Sequence, residues 1–410
     1  MTEMEIFRCN QKMLRDLGEG AALYDLKSYR QGCSIKKLLG WLREEPEEET
    51  KSYDAEGRLM TREDWLCIRK NRNIEFAETQ TSCVVPVRWG VCTCRGSLRR
   101  LPWKQAVRRI PEDEYFDLLQ QSAVLQGEPL LLLWESLDRQ FYYALCAYGR
   151  GWISTAEVGL CPAEELWTFQ GEKSAFLTVT GSRLRLSDCP DLPEISGREL
   201  TMGTRLPLAA PPGTIDRLGE RMSYDNYIVC LPVREADGRL RMCPALLPVS
   251  GDACLGFLPY SPETLVSLAE KLRGEVYGWG GLLNSWDCSG LIMEIHRCFG
   301  LQLPRDSAAL ALLPGIEVGD CSLREKRALL RSCPRGTILY FPGHVMLYTG
   351  EEGGELCCIS AAGNFWPAGA AGGEECRRVN TIVKTSLEVV RSNGRTWLQS
   401  LEKLICLDGI

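Results

Sequence analysis

Nucleophilic chemistry needs a thiol and an imidazole within reach of each other, and the sequence offers few histidines to pair with its cysteines. There are 20 cysteines and 2 histidines in 410 residues. A cysteine acts as a nucleophile only as thiolate, and a helix N-terminus or a neighbouring imidazole favours that form. Cys288 lies in YGWGGLLNSWDCSGLIMEIHRCFG, just where an apolar run with the spacing of a buried helix begins (Leu291, Ile292, Ile295, Phe299). Ser289 and Gly290 after it are small and leave room for a substrate.

His296 falls eight residues along the same helix, about 12 Å down the axis at roughly 1.5 Å per residue, out of reach of the thiol. It is expected to be a packed or surface helix residue, with little effect on activity when replaced. His344, in FPGHVMLYTG, remains as the base. HVMLYTG and ELCCIS form a hairpin around EEGG. A turn centred near Glu352 sets Ser360 opposite His344, where it would accept the Nδ1 proton and orient the ring. Asn364 is the alternative for that third position.

The other cysteines do not form metal sites by spacing: there is a CxC (Cys92, Cys94) and a CC (Cys357, Cys358), but no CxxC. They are expected to be reduced, buried small hydrophobes. No metal or other cofactor is implied. The net charge of −6 argues against nucleic acid as partner. No apolar run is long enough to span a membrane. The N-terminus has acidic residues and no continuous apolar stretch, which points to a cytoplasmic protein, with export as the alternative if a signal peptide has been removed.

The elements that must position these residues fall into four stretches. Residues 1–82 carry apolar residues at helical spacing (Met13, Leu14, Leu17, Leu38, Leu39, Leu42), broken by the charged loop REEPEEETKSYDAEG, and are expected to form a helical N-terminal arm. Residues 83–160 and 161–256 read as two small β-modules of short strands separated by turn residues. Residues 257–410 open with a helix capped by Ser261, continue through the Cys288 helix, and end in strands at TILYF, HVMLYTG and ELCCISA with a terminal helix near TWLQSLEKLI. Helix first and antiparallel strands after make this an α+β domain.

YGWGG, DCSG, FGLQLPRDS and GHVMLYTG, in that order, resemble the NlpC/P60 cysteine peptidases, papain-like enzymes that cut bacterial cell-wall peptides. PVRWGVCTCRGSLRRLPW with GEPLLLLWES and GRGWIS looks like the first bacterial SH3-type module of a multidomain subgroup, and MGTRLPL like part of a second. The resemblance implies a multidomain chain. An α+β, papain-like NlpC/P60 catalytic domain follows two small SH3-like β-barrels and a helical N-terminal arm.

The implied activity is that of a γ-D-glutamyl-L-diamino-acid endopeptidase, which hydrolyses murein stem peptides with a free N-terminal L-Ala. Its partner is a muropeptide substrate, its role murein turnover or recycling, and a monomer is expected. Carried over, Cys288 is the nucleophile, His344 the base and Ser360 the third catalytic residue, in a slot where the family often has histidine. Asp306 and Ser307, with groups around Asp287 and Ser289, would hold the substrate ammonium. Tyr277 would line the pocket, and the backbone N–H of Cys288 would help bind the oxyanion. A carboxylate in an enclosed pocket calls for a cation, which a ligand amine would supply to Asp306. The first SH3-type module would wall off the site, with Tyr142, Tyr143 and Tyr148 as contributors. The alternative is a wall-fragment binder with a vestigial peptidase domain.

Overall fold

In a computed structural model the chain is described over residues 1–29, 32–44, 51–169, 175–209, 216–368 and 376–407. Residues 45–50 of the charged loop and 210–211 of the segment expected to form the second module lie outside the described residues. The chain divides into two compact units, residues 1–23 with 257–410 and residues 24–256. The helical arm expected over 1–82 is therefore split. Its first helix, α1 (Glu3–Asp16), buries Ile6, Cys9 and Met13. Its Asn10 side chain donates to Gly300 O at 2.8 Å and accepts from Gln302 N at 2.9 Å, which ties α1 to the rest of its unit.

Within that unit, α2 (Pro262–Lys271) starts at Ser261, whose hydroxyl accepts from Thr264 N. Next come α3 (Cys288–Arg297), the single turn α4 (Ser307–Leu310), β1 (Ile316–Glu317) and α5 (Leu323–Ser332). The strands are β2 (Ile338–Phe341), β3 (His344–Glu352), β4 (Glu355–Phe365), β5 (Arg377–Ser386) and β6 (Lys403–Ile405), with the one-turn helix α6 (Trp397–Ser400) before β6. The sheet order is β1-β6-β2-β3-β4-β5, and the pairs are antiparallel. The terminal helix expected across TWLQSLEKLI stops after one turn; Lys403–Ile405 instead pairs with β2. One face of the sheet packs Val318, Leu330, Leu339, Met346, Leu387 and Trp397 into a core. Helix α3 is buried along its whole length beyond Cys288, including Glu294 and His296. Burial all round is what an inner helix of a layered domain requires.

The other unit carries the helices Ile35–Leu42, Arg62–Lys70 and Ile74–Glu78 and a seven-stranded antiparallel sheet between Arg88 and Cys161. A second β-module follows. Phe176–Val179 is flanked by Arg205–Pro207 and Ala253–Leu255, and the long hairpin Asn226–Arg234/Leu240–Pro248 completes it. Leu177, Val179, Leu206, Val229, Leu231 and Leu247 form its core. Each such side chain stabilises the fold by about 1.5–3 kcal/mol on burial.

Of the 20 cysteines, seven are buried and four (Cys67, Cys83, Cys94, Cys376) are exposed. The small-hydrophobe reading therefore holds for a minority of them.

Candidate active site

Cys288 is the first residue of α3, and Asp287 caps it. The Asp287 carboxylate accepts from Gly290 N at 2.7 Å through Oδ1 and from Gly280 N at 2.8 Å through Oδ2. A Cβ at Gly290 would sit 3.0 Å from Asp287 Oδ1 and 3.3 Å from Arg305 Nη2, so any larger residue would crowd the cap. Gly280 and Gly281 have φ +59° and +87°, the left-handed backbone that glycine adopts without strain. That turn brings the Gly280 amide to the carboxylate.

His344 opens β3. Phe341 pairs with His344 across Pro342-Gly343, with Gly343 at φ +86°; proline followed by a left-handed glycine is the composition of a tight two-residue turn. The imidazole lies 5.3 Å (ring centroids) from both Phe341 and Trp397. The backbone N–H of Val345, next in β3, lies close enough to the Cys288 thiol to favour its ionised form. Strand β3 thus brings both the imidazole and an amide donor to the start of α3.

Ser360 Oγ is 2.6 Å from His344 Nε2, and the serine is fully buried. Its hydroxyl donates towards Ala361 O at 3.4 Å, which leaves a lone pair to accept Nε2–H. The residue pair is the one the hairpin suggested, but the register and the ring nitrogen differ. Glu352 pairs with Glu355 around Gly353-Gly354, and a bulge falls between Tyr348 and Gly350. Leu347 is then opposite Ile359, so Ser360 reaches His344 from a diagonal position on the same face. The bond is to Nε2, and in the tautomer where Nε2–H donates to Ser360, Nδ1 is the basic nitrogen. Asn364 is exposed and pairs with Arg378 on β5, away from the ring.

The substrate-binding expectations divide. Asp287 and Ser289 are buried and turned inward: Arg305 Nη2 donates to Asp287 Oδ2 at 2.7 Å and Nη1 to Ser289 Oγ at 2.9 Å. Asp287 thus already holds Arg305 and two amides, and Ser289 Oγ already accepts from Arg305. Asp306 is exposed and caps α4 through Ala308 N at 2.8 Å. Because it is exposed, burial does not force a cation on it, although its second oxygen is open to one. Ser307, half-buried, is the first residue of α4, and Tyr277 is half-buried beside the glycine turn. Tyr142, Tyr143 and Tyr148 are buried within their own unit. Tyr143 meets Trp152 edge to face, Arg88 covers Tyr142, and Tyr148 Oη accepts from Leu125 N.

Sequence reasoning missed Arg305. Its signal was its place in LPRDS, one residue before Asp306, but an ion pair spanning 18 positions has no local signature. Burial works to raise the Asp287 pKa, but the Arg305 guanidinium and the two amides outweigh it and hold the carboxyl below its ordinary range. The thiol is pushed the other way. Burial first, then the Asp287 charge, raise Cys288 to about 12, against the smaller pull of Val345 N–H and Arg305. Burial and then the Arg391 charge lower His344 to about 4. At neutral pH the resting pair is thiol and neutral imidazole.

Residues 274–356 match the model of the NlpC/P60 family, and residues 108–154 match that of the SH3 domain (SH3b1 type). Among solved structures, the chain is similar to an NlpC/P60 endopeptidase from Photobacterium damselae subsp. piscicida. The two are 17% identical, the TM-score is 0.75, and 99% of this chain and 93% of that chain are covered. An NlpC/P60 family protein from Bacillus cereus ATCC 10987 is 16% identical, with a TM-score of 0.48 over 70% of this chain and 82% of its own. No curated protein matches the chain. The chain carries an NlpC/P60 domain and, upstream of it, a bacterial SH3-type domain.

Proposed function

We propose that the NlpC/P60 domain of this chain is a cysteine peptidase that hydrolyses the γ-D-Glu–L-diamino-acid bond of peptidoglycan stem peptides whose N-terminal L-Ala amine is free. The observation that carries this reading is the placement of Cys288 at the start of α3 under the influence of the Val345 amide, one residue along β3 from His344 and its 2.6 Å bond to Ser360. His344 Nδ1 takes the thiol proton while Ser360 holds Nε2–H, and the thiolate attacks the γ-carbonyl carbon. The backbone N–H of Cys288 and the Tyr277 hydroxyl stabilise the oxyanion. His344 then returns the proton to the departing amine, leaving a thioester. Water, activated by the same imidazole, releases L-Ala-D-Glu and restores the thiol. Asp306 and Ser307 bind the substrate ammonium.

A second reading, a wall-fragment binder with a vestigial site, draws on the resting protonation. A thiol raised to about 12 beside an imidazole lowered to about 4 is a weaker nucleophile than a preformed ion pair.

Mass spectrometry of L-Ala-γ-D-Glu-meso-diaminopimelate and its N-acetyl form separates the readings. The peptidase reading expects L-Ala-D-Glu from the free peptide alone, with KM raised about tenfold or more in Asp306→Asn. Binding of the free peptide without product would favour the binder, and equal cleavage of the acetylated peptide would remove the amine requirement.

A further inference from the structure

Beside the candidate base stands a cation that the chemistry above does not use. Arg391 follows Val390, which bridges to Trp366 and Thr396, and its backbone closes a tight turn with Gly394 and Arg395. Its guanidinium carbon lies 4.2 Å from the centre of the Phe341 ring, and that ring is itself 5.3 Å from His344. One weak bond, from Nη2 to Pro342 O at 3.5 Å, is its hydrogen bond to protein. Among the described residues no carboxylate pairs with it, and the side chain is half-exposed.

This placement works against the reaction when the site is empty. The charge of Arg391 opposes protonation of His344, yet imidazolium is the form His344 must take as the thiol is deprotonated. An anion arriving with the substrate would cancel that opposition. The side of the site follows from the chemistry, since the imidazole hands its proton to the departing amine and must therefore lie next to the leaving group. The leaving diamino acid carries an α-carboxylate when it ends the stem, on the carbon bonded to the departing nitrogen. Diaminopimelate carries a second carboxylate at the end of its side chain.

We propose that Arg391 recognises a carboxylate of the leaving diamino acid, so that stems presenting one are turned over faster than stems whose leaving group is neutralised there. The assignment rests on the peptidase reading above. Phe341 holds the guanidinium by its face and leaves the nitrogen edges for a carboxylate, a geometry arginine serves better than lysine. Because the bound carboxylate also relieves the charge opposing imidazolium, the contact acts on kcat as well as KM.

The test uses the full chain with four peptides: L-Ala-γ-D-Glu-L-Lys, its C-terminal amide, L-Ala-γ-D-Glu-meso-diaminopimelate, and the latter amidated at the α-carboxylate. Wild type should cleave the carboxylate-bearing leaving groups about ten- to hundredfold better in kcat/KM than the lysine amide, the range of one charge-assisted contact. Arg391→Gln should compress that ratio to within about threefold, and Arg391→Lys should keep part of it. Preference for the α-amidated diaminopimelate peptide over the lysine amide assigns the contact to the side-chain carboxylate; its absence assigns it to the α-carboxylate. The same ratio in wild type and Arg391→Gln would overturn the proposal. If wild type cleaves none of the four, calorimetric titration of Cys288→Ala with and without Arg391→Gln separates the two failures. A carboxylate-dependent affinity lost with Arg391 keeps the contact while the peptidase reading falls; no such dependence ends both.

Discussion

The Arg305 guanidinium bridges Asp287 and Ser289, the residues on either side of Cys288, through bonds of 2.7 and 2.9 Å. The cap of the Cys288 helix is thereby tied to the loop that carries Asp306. Side-chain exposure is about a tenth for Arg305 and Asp287 alike. Removing one member of a buried, hydrogen-bonded ion pair strands the other charge.

Arg305→Ala should therefore lower stability by about 3–5 kcal/mol, read from urea unfolding midpoints with an unchanged slope. Arg305→Lys cannot fork to both partners and should cost less, about 1–2 kcal/mol. A neutral result for the alanine variant would mean that the two amides alone hold Asp287.

Ser360→Ala removes the acceptor of His344 Nε2–H without adding volume. The ring keeps its packing against Phe341 and Trp397 but loses tautomer control. The expected result is a drop in kcat of about tenfold or more with little change in KM. An equal loss in KM would point to a role in substrate binding.

Both histidines are held neutral by burial, each with its pKa lowered from 6.5 to about 4. The unfolded chain then binds more protons than the folded one as pH falls through that interval. Stability is complete above about pH 6.5 and is lost towards pH 4, at up to about 1.4 kcal/mol per pH unit for each histidine. Cys288 works in the opposite direction. Its pKa is raised from 9.0 to about 12, so its share is present below pH 9 and lost as pH rises beyond. Thermal melts across pH 4–10 should show a plateau between these limits; melting temperatures unchanged from pH 6.5 to 4 would contradict the burial account.

His296 separates structure from chemistry. It is fully buried, with Nδ1 2.7 Å from Ile292 O and Nε2 without a partner. His296→Ala is thus expected to matter more for folding than its distance from the thiol suggested, costing about 2–4 kcal/mol through the cavity it leaves. Peptide cleavage per folded molecule should be retained, and a catalytic loss exceeding the unfolded fraction would return His296 to consideration as the base.

Local pattern made part of this site legible. The Asp-Cys-Ser-Gly start of an apolar helix, a histidine after Pro-Gly, and two strands close enough to form a hairpin carry Cys288, His344 and Ser360. Neither the turn centre at Gly353-Gly354 nor the bulge at Thr349 was legible, because an extra strand residue leaves no mark in an alternating pattern; the two together set Ser360 diagonal to His344 instead of opposite it. Arg305 and Arg391 reach the site from other segments, where only tertiary packing shows what they touch. The same holds for α1. Its amphipathic pattern announced a helix with one buried face, but the partner of that face, near Gly300, is fixed by tertiary contact alone.

The central claim is that Cys288 is the nucleophile of a peptidase. The most direct measurement is quantitative mass spectrometry of L-Ala-γ-D-Glu-meso-diaminopimelate incubated with wild type and with Cys288→Ala, both shown to be folded by thermal melting. Wild type should release stoichiometric L-Ala-D-Glu and diaminopimelate, and the variant none above background. Equal product from both would contradict the claim.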